Sequence, residues 1–340
     1  MAYQEGKDLE AFDVRLADYN MRGQWTSDAR RDQGAGGSWH GDVWETHPPG
    51  EAHLWSWDKV ETLIEAAGDA LPESQTARRS LMFDNPGLER GTTSTMVMGI
   101  QMIQPGELAW AHRHTISALR FVIEGHPDLF TVVDGEVCPM ETHDLVLTPN
   151  WHWHDHHNNS ASRALWLDVL DVPLVAALKQ TVFENYGEDQ QPVRNVASDG
   201  TLLYSWADMT ARLDGMADAE ASAHDGFALE YRHPKTGGAV MATLGCWVNN
   251  LPAGFEGAPH RHSSSSVYFV VAGAGQTRVG DVTLDWGERD CFTVPAWATH
   301  SHINVSKSEQ ATLFSVSDAP ALRALGLYRE DPAPGSSGTS

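Results

Sequence analysis

Apolar positions change rhythm several times along the chain. In WDKVETLIEAAGDAL they fall near i, i+3, i+4 and i+7, the spacing of a helix with one buried face, and EAFDVRLADYNMRGQW admits the same reading. Between them RRDQGAGGSWHGDVWETHPPGE is punctuated by Gly and Pro and reads as loop. After Arg79 come short apolar or alternating runs, TMVMGIQMI, SALRFVIEG, LFTVVDGE, DLVLTP and RALWLDVL, broken by Gly, Pro and Asp. These predict β-strands joined by tight turns. Helical spacing returns in PLVAALKQTVFENYG and, less clearly, in SWADMTARLDGMAD. From about residue 226 strands resume in AVMATLGCWVNNL, SVYFVVAGAG, GQTRVGDVTLDWG, CFTVPAW and ATLFSVSD. The low-complexity tail DPAPGSSGTS is expected to be disordered. The pattern divides the chain into a helical and loop arm (1–75), a strand-rich block (76–172), a helical linker (173–225), a second strand-rich block (226–320) and a tail (321–340).

The two strand-rich blocks repeat each other. Gly106 to His114 and Gly254 to His262 both fit G-x5-H-x-H, while Pro149 to Asn158 and Pro295 to Asn304 both fit P-x-W-x2-H-x3-N. The copies lie 148 residues apart from His112 to His260 and 146 apart from His154 to His300. Paired motifs at matched spacing resemble the two signatures of the cupin superfamily, a small double-stranded antiparallel β-barrel. The resemblance implies a mainly β bicupin: two jelly-roll barrels with a helical N-terminal arm and a helical linker. It puts the first motif on adjacent strands and the second on a facing strand.

Composition narrows the partners. At 340 residues, 41% hydrophobic and 20% charged, the chain suits a soluble globular protein of one large or two ordinary domains. A formal net charge of −23 argues against a nucleic-acid surface or an anionic membrane surface. An anionic substrate would need cations placed locally. Three cysteines do not make a disulfide framework, MAYQEGKDLEAFDVRL lacks the pattern of a signal peptide, and no apolar run approaches a membrane span. A cytoplasmic protein is the expectation.

The histidines carry the candidate chemistry. Strand side chains alternate faces, so His112 and His114 project together and Arg113 projects oppositely. Two imidazoles on one face make a pair of metal ligands, and a third must come from a distant strand. Alignment with the second motif selects His154 from WHWHDHH; His152 and His156 share its parity, and His157 does not. The matching set in the second block is His260, His262 and His300, with His302 in addition. Many metal cupins carry a Glu shortly after the first motif, but Thr115 to Arg120 contains no carboxylate. The first site is therefore three neutral imidazoles with about three positions left open on the metal. Such ligands suit a transition metal better than Mg or Ca, and they leave Fe and Zn both open. Arg120 follows His114 at even spacing inside the apolar run ALRFVI. A buried cation there needs an anion, either Glu124 or Asp168 in an ion pair or the carboxylate of a substrate.

AHRHTISALRFVIEG, LTPNWHWHDHHN, LWLDVLDVP, TARRSLMFDNPGL and GIQMIQPGE together resemble the gentisate 1,2-dioxygenase family, which includes the salicylate, 1-hydroxy-2-naphthoate and 5-nitrosalicylate dioxygenases. The resemblance spans most of 76–175 and continues more loosely to about residue 330. It implies one Fe(II) per chain on His112, His114 and His154, with O2 as co-substrate. The substrate would be a hydroxylated aromatic acid, opened between the carbons bearing carboxyl and hydroxyl. It places Arg120 and one of Arg78 and Arg79, preferably Arg78, at the substrate carboxylate. Gln101 and His156 line the pocket, His156 beside the metal in hydrogen bonding or proton transfer with the ring hydroxyl, and Asp168 stands behind them as an acid. His152 and His157 receive no role. His157 occupies a position where Gly is common, and Trp110 and Val97 occupy positions that vary with substrate class, so the acid itself stays open. A homotetramer is implied. The second cupin keeps three histidines but has Val267 or Tyr268 near the place of Arg120, so no chemistry is expected of it; a second metal and a purely structural repeat both stay open. Another bicupin activity, isomerase or decarboxylase, and a non-catalytic binding bicupin are the alternatives. The missing Glu speaks against a decarboxylase, and six retained histidines speak against a storage protein.

Overall fold

The computed structural model describes residues 50–70 and 79–332. The helix expected over EAFDVRLADYNMRGQW, the candidate Arg78 and all but the start of the DPAPGSSGTS tail lie outside the described residues. The chain divides into two units, Met1–Pro48 and Pro49–Ser340, and every described residue belongs to the second.

The described residues of that unit form four antiparallel-rich sheets, two to each strand-rich block. In the first block a core sheet orders the strands Leu203–Tyr204, Leu145–Thr148, Ala118–Glu124, Ala164–Leu170, Val97–Ile103 and Arg79–Phe83. Its histidine sheet orders Phe183–Asn185, Leu108–His114, His154–Asn158, His126–Val133, Glu136–Met140 and Asn195–Val196. In the second block the core sheet runs His53–Trp55, Cys291–Val294, Ser266–Ala272, Ala311–Ser317, Gly245–Leu251 and Phe227–Glu230. Its histidine sheet runs Val282–Trp286, Gly275–Val279, His300–Asn304, His260–His262 and Glu330–Pro332.

Within each block the two sheets share an apolar interior. Val122, Leu129, Val133, Met140 and Trp166 meet in the first. Val270, Leu284, Trp286, Phe292 and Leu313 meet in the second. The two facing sheets of each block make the jelly-roll layers expected of a bicupin, with no strand pairing that closes them into one continuous barrel among the described residues. Short extra strands occupy their edges, which otherwise would present unpaired backbone.

The two core sheets also pack on one another. Leu119, Phe121 and Ile123 join Phe269, Phe314 and Val316 in one cluster, with Phe121 stacked on Phe314 at 4.1 Å between centroids. A strand covered on both faces has no polar side to show, which is why ALRFVI reads as a continuous apolar run. Arg120 is its single charged side chain, on the face shared with Val122. Two reciprocal ties join the blocks. Asp171 accepts the Ser117 N–H at 2.8 Å and the Thr243 hydroxyl at 2.6 Å. Asp318 accepts the Ser265 N–H at 2.9 Å and the Thr95 hydroxyl at 2.6 Å.

Two expectations need correction. PLVAALKQTVFENYG is helical only over Val172–Ala177; Lys179 then takes a left-handed φ of 55°, and Phe183–Asn185 is a strand. Pairing with the edge of Leu108–His114 outweighs the helical spacing, helped by the Arg113–Glu184 ion pair at 2.6 Å. The linker is accordingly mixed, with helices Val172–Ala177 and Trp206–Asp214 and three short strands that finish the first block's sheets. Second, His154 does not lie on a strand of the facing sheet. It lies directly across from His112 on the neighbouring strand of the same sheet, as His300 does from His260. Residues opposite one another in an antiparallel pair share a face at close Cβ distance, so the three imidazoles converge without crossing the interior.

Candidate metal centre

The repeated motif residues shape the backbone that gathers the histidines. Gly106 and Gly254 both have positive φ, 79° and 70°, in the turn entering the H-x-H strand. Their N–H groups reach the far end of the other motif, Gly106 to the Asn158 carbonyl and Gly254 to that of Ser306, both at 2.7 Å. Trp151 and Trp297 are left-handed at φ 67° and 60°. That bend brings the Trp151 N–H to the His114 carbonyl at 2.7 Å and the Trp297 N–H to the His262 carbonyl at 2.8 Å. The third histidine is thus delivered beside the first two. The motif asparagines close the loop behind: Asn158 donates to the carbonyls of Ile103 and Ser162, and Asn304 to those of Leu251 and Glu309.

His112, His114 and His154 are buried, and their candidate ligand nitrogens all lie within 4.8 Å of one another. Each Nδ1 is held by a backbone carbonyl: His112 by Trp110 at 2.7 Å, His114 by Ile116 at 2.7 Å and His154 by His152 at 3.0 Å. A ring whose Nδ1–H donates to a carbonyl presents Nε2 as the ligand. The Nε2 of His154 is buried without a hydrogen-bond partner. Burial above all, and then the charges of His112, Arg120 and His114, hold the His154 pKa well below the usual imidazole range, in the neutral form that binds metals. The three-nitrogen set fits a first-row transition metal.

The facing sheet supplies the rest. Arg120 and Asp168 are register partners on adjacent strands, with Nε and Oδ1 3.4 Å apart. Arg120 also donates to the Thr148 hydroxyl at 2.8 Å. Desolvation pulls the Arg120 pKa down and Asp168 opposes it. On the next strand Gln101 sits opposite Trp166, and Gln101 Nε2 and Trp166 Nε1 are both buried without hydrogen-bond partners. Buried donors of this kind are uncommon in proteins, and a bound water, ion or ligand can complete their bonding. His156 lies 5.8 Å from the His154 ring and 5.5 Å from Trp166, between centroids.

His152 is partly exposed, 3.8 Å from Asp134, and takes no part in the triad. His157 points to the outer face, where it meets Asp155 at 2.5 Å and stacks on Phe130. Arg79 is buried against the Glu107 carboxylate. Sequence reasoning missed Thr131, whose hydroxyl lies 2.7 Å from His156 Nδ1, and Phe183, which stacks on the His112 ring at 5.2 Å. Thr131 has a signal in the repeat, since Thr277 holds His302 Nδ1 at 2.9 Å in the same way.

Facing layers around histidine triads define the class. Residues 99–170 and 247–317 both match the cupin domain family. The chain is 42% identical to the 1-hydroxy-2-naphthoate 1,2-dioxygenase of Nocardioides sp. (strain KP7), over 95% of this chain and 88% of that one. It is 38% identical to the 5-aminosalicylate 1,2-dioxygenase of Comamonas sp., over 82% and 80%. The salicylate 1,2-dioxygenase of Pseudoaminobacter salicylatoxidans, solved as an adduct with gentisate, superposes with a TM-score of 0.80 at 29% identity, covering 98% of this chain and 96% of that one. The chain belongs to the bicupin family of gentisate- and salicylate-type 1,2-dioxygenases, and it is a ring-cleaving dioxygenase.

Proposed function

We propose that the chain is an Fe(II) enzyme that opens a hydroxylated aromatic acid between the carbons bearing its carboxyl and hydroxyl groups, inserting both atoms of O2. The observation that carries this reading is the opposition of a buried three-histidine face to the Arg120–Asp168 pair across one interior. His112, His114 and His154 would hold the iron, which when bound supplies the redox chemistry with O2 and polarises the oxygens of the acid.

The protein's own residues then bind, orient and move a proton. The substrate carboxylate meets the Arg120 guanidinium, whose planar fork suits two carboxylate oxygens. Arg78 is the second cation of this reading, because Arg79 already has Glu107 as its anion. Gln101 Nε2 donates to the bound acid from the side wall. The Thr131 hydroxyl lies 3.2 Å from Met140 Sδ as well as against His156. Both contacts are satisfied when Thr131 donates to the sulfur and accepts from His156 Nδ1–H. That tautomer gives Nε2 a lone pair with which to take the ring hydroxyl's proton. Trp166 and the buried interior cluster exclude water, and Trp166 with Phe183, stacked on His112, offers a flat face to an aromatic ring.

The 42% identity to the naphthoate enzyme makes a fused two-ring hydroxy acid the first candidate, ahead of salicylate, 5-nitrosalicylate and gentisate. A cytoplasmic homotetramer completes the proposal, and a monomer by light scattering would remove its oligomeric part. The test is O2 uptake by anaerobically Fe(II)-loaded protein against these four acids, with ultraviolet spectra in parallel. Uptake with a ring-opened chromophore on at least one acid is expected. Silence on all four, with iron confirmed at His112, His114 and His154, would overturn the assignment.

A further inference from the structure

The second cupin repeats the triad but not its surroundings. His260, His262 and His300 bring ligand nitrogens within 4.8 Å of one another. His262 Nδ1 is held by the Ser264 carbonyl at 2.8 Å and His300 Nδ1 by the Ala298 carbonyl at 3.0 Å, so both present Nε2. His300 Nε2 and His260 Nδ1 are buried without hydrogen-bond partners, in side chains 1% and 4% exposed.

The neighbours differ in charge. In the first cupin the edge strand beside H-x-H places Phe183 opposite His114. In the second, the edge strand at the same place puts Glu330 opposite His262. A second acid enters from the Ser222–Gly226 turn, where Asp225 Oδ1 lies 4.0 Å from His260 Nε2. Its backbone is fixed by Ser222 Oγ, which accepts the Asp225 N–H at 3.2 Å, and by Asn249, which donates to the Asp225 carbonyl at 3.4 Å. Asp225, Glu330, His260 and His262 line one cavity of about 230 Å³. On the facing sheet the register pair Arg120–Asp168 is replaced by Tyr268–Ser315, which brings neither the cation nor the anion. The first triad is thus walled by an aromatic ring and a guanidinium, a setting for an anionic aromatic guest. The second has Asp225 and Glu330 together with serine and tyrosine hydroxyls in its wall, and Arg323 and Trp247 in the same lining, so acids stand beside its histidines where the first has Phe183 and Arg120.

We propose that the second cupin holds its own divalent first-row transition-metal ion on His260, His262 and His300, with Asp225, 4.0 Å from His260 Nε2, as the nearby carboxylate that balances its charge. This setting differs from the three neutral imidazoles of the first cupin. The carboxylate lowers the net charge around the ion. An ion bound by the folded histidines and not by the unfolded chain stabilises the fold by linkage.

The inference is independent of the ring-cleavage reading, and cobalt titration of full-length apo-protein separates the two. Co(II) bound to imidazoles gives visible bands that count sites directly. Wild type is expected to take two ions per chain, His154→Ala one, and the His154→Ala/His300→Gln double variant none. Asp225→Asn in the His154→Ala background is expected to weaken the remaining ion at least tenfold. Added Co(II) should also raise the melting temperature of His154→Ala and leave that of the double variant unmoved. No ion in His154→Ala, with circular dichroism matching wild type, overturns the second site. An ion that survives in the double variant overturns it as well. One ion in wild type that vanishes in His154→Ala refutes the second site while leaving the first standing. One ion that persists in His154→Ala and is lost in the double variant supports the second site and removes the first.

Discussion

Arg120 and Asp168 face one another on adjacent strands of the first core sheet, Nε to Oδ1 at 3.4 Å, both buried. The pair gives the buried arginine a structural anion. A second guanidinium nitrogen donates to the Thr148 hydroxyl at 2.8 Å, so the side chain is held at two points.

Replacing Arg120 with Lys keeps the charge and loses the fork. A charged hydrogen bond contributes about 1.5–3 kcal/mol, so KM for the aromatic acid should rise roughly ten- to a hundredfold. Steady-state O2 uptake against acid concentration measures it. An unchanged KM would make Arg120 a purely structural partner of Asp168.

His154 and His152 sit two residues apart with opposite fates. His154 is buried in the triad, and His152 is partly exposed beside Asp134. His154→Ala should remove the metal of the first cupin and with it turnover, whereas His152→Ala should keep most of both. Metal analysis and O2 uptake on the same preparations decide. Loss of metal in His152→Ala would mean the wrong histidine had been chosen.

Phe121 and Phe314 stack across the join between the two core sheets, both fully buried. Phe121→Ala opens a cavity there and should cost about 3–5 kcal/mol of stability. A urea unfolding curve would show the midpoint fall. A change under about 1 kcal/mol would mean that the sheets close up around the gap.

Asp318 carries a pH signature. Burial raises its pKa from 3.8 to about 6, against the lowering effect of the bonds from Thr95 and Ser265. The folded state therefore holds a proton that the unfolded chain has released between those values. Its contribution to stability falls as pH rises from about 4 to 6, by up to about 3 kcal/mol at roughly 1.4 per unit. Asp318→Asn cannot ionise and should lack this part of the pH dependence. Melting temperatures of wild type and variant from pH 4 to 7 should diverge in slope, and parallel curves would refute the assignment.

The strand-rich blocks, the repeat and the triads were legible because each rests on local pattern: period two in strands, and motif residues whose turns are set within a few positions. Arg120 was legible as a lone charge in an apolar run. Less visible was anything decided by a distant partner. Phe183–Asn185 carries helical spacing yet becomes a strand because the edge of Leu108–His114 offers it hydrogen bonds. The placement of His154 beside His112 depends on strand order, which parity does not encode. Thr131 looks like any strand threonine until its hydroxyl is seen against His156. The acids of the second triad arrive from a turn and from the C-terminal segment, far from the motif that announces the histidines.

The short strand His53–Trp55 precedes the first cupin in sequence yet pairs with Cys291–Val294 of the second, and the Trp57 N–H is accepted by Asp290 at 2.8 Å. Early chain therefore waits for late chain during synthesis. Until residue 294 has emerged, His53–Trp55 has no strand to join, and a second cupin produced by itself would show Cys291–Val294 as a bare apolar edge. Contacts of such sequence separation slow folding, and an open edge recruits other chains. Split halves of this protein should aggregate where the intact chain does not, and cutting it between the cupins would sever a dependence that runs back across the whole first cupin.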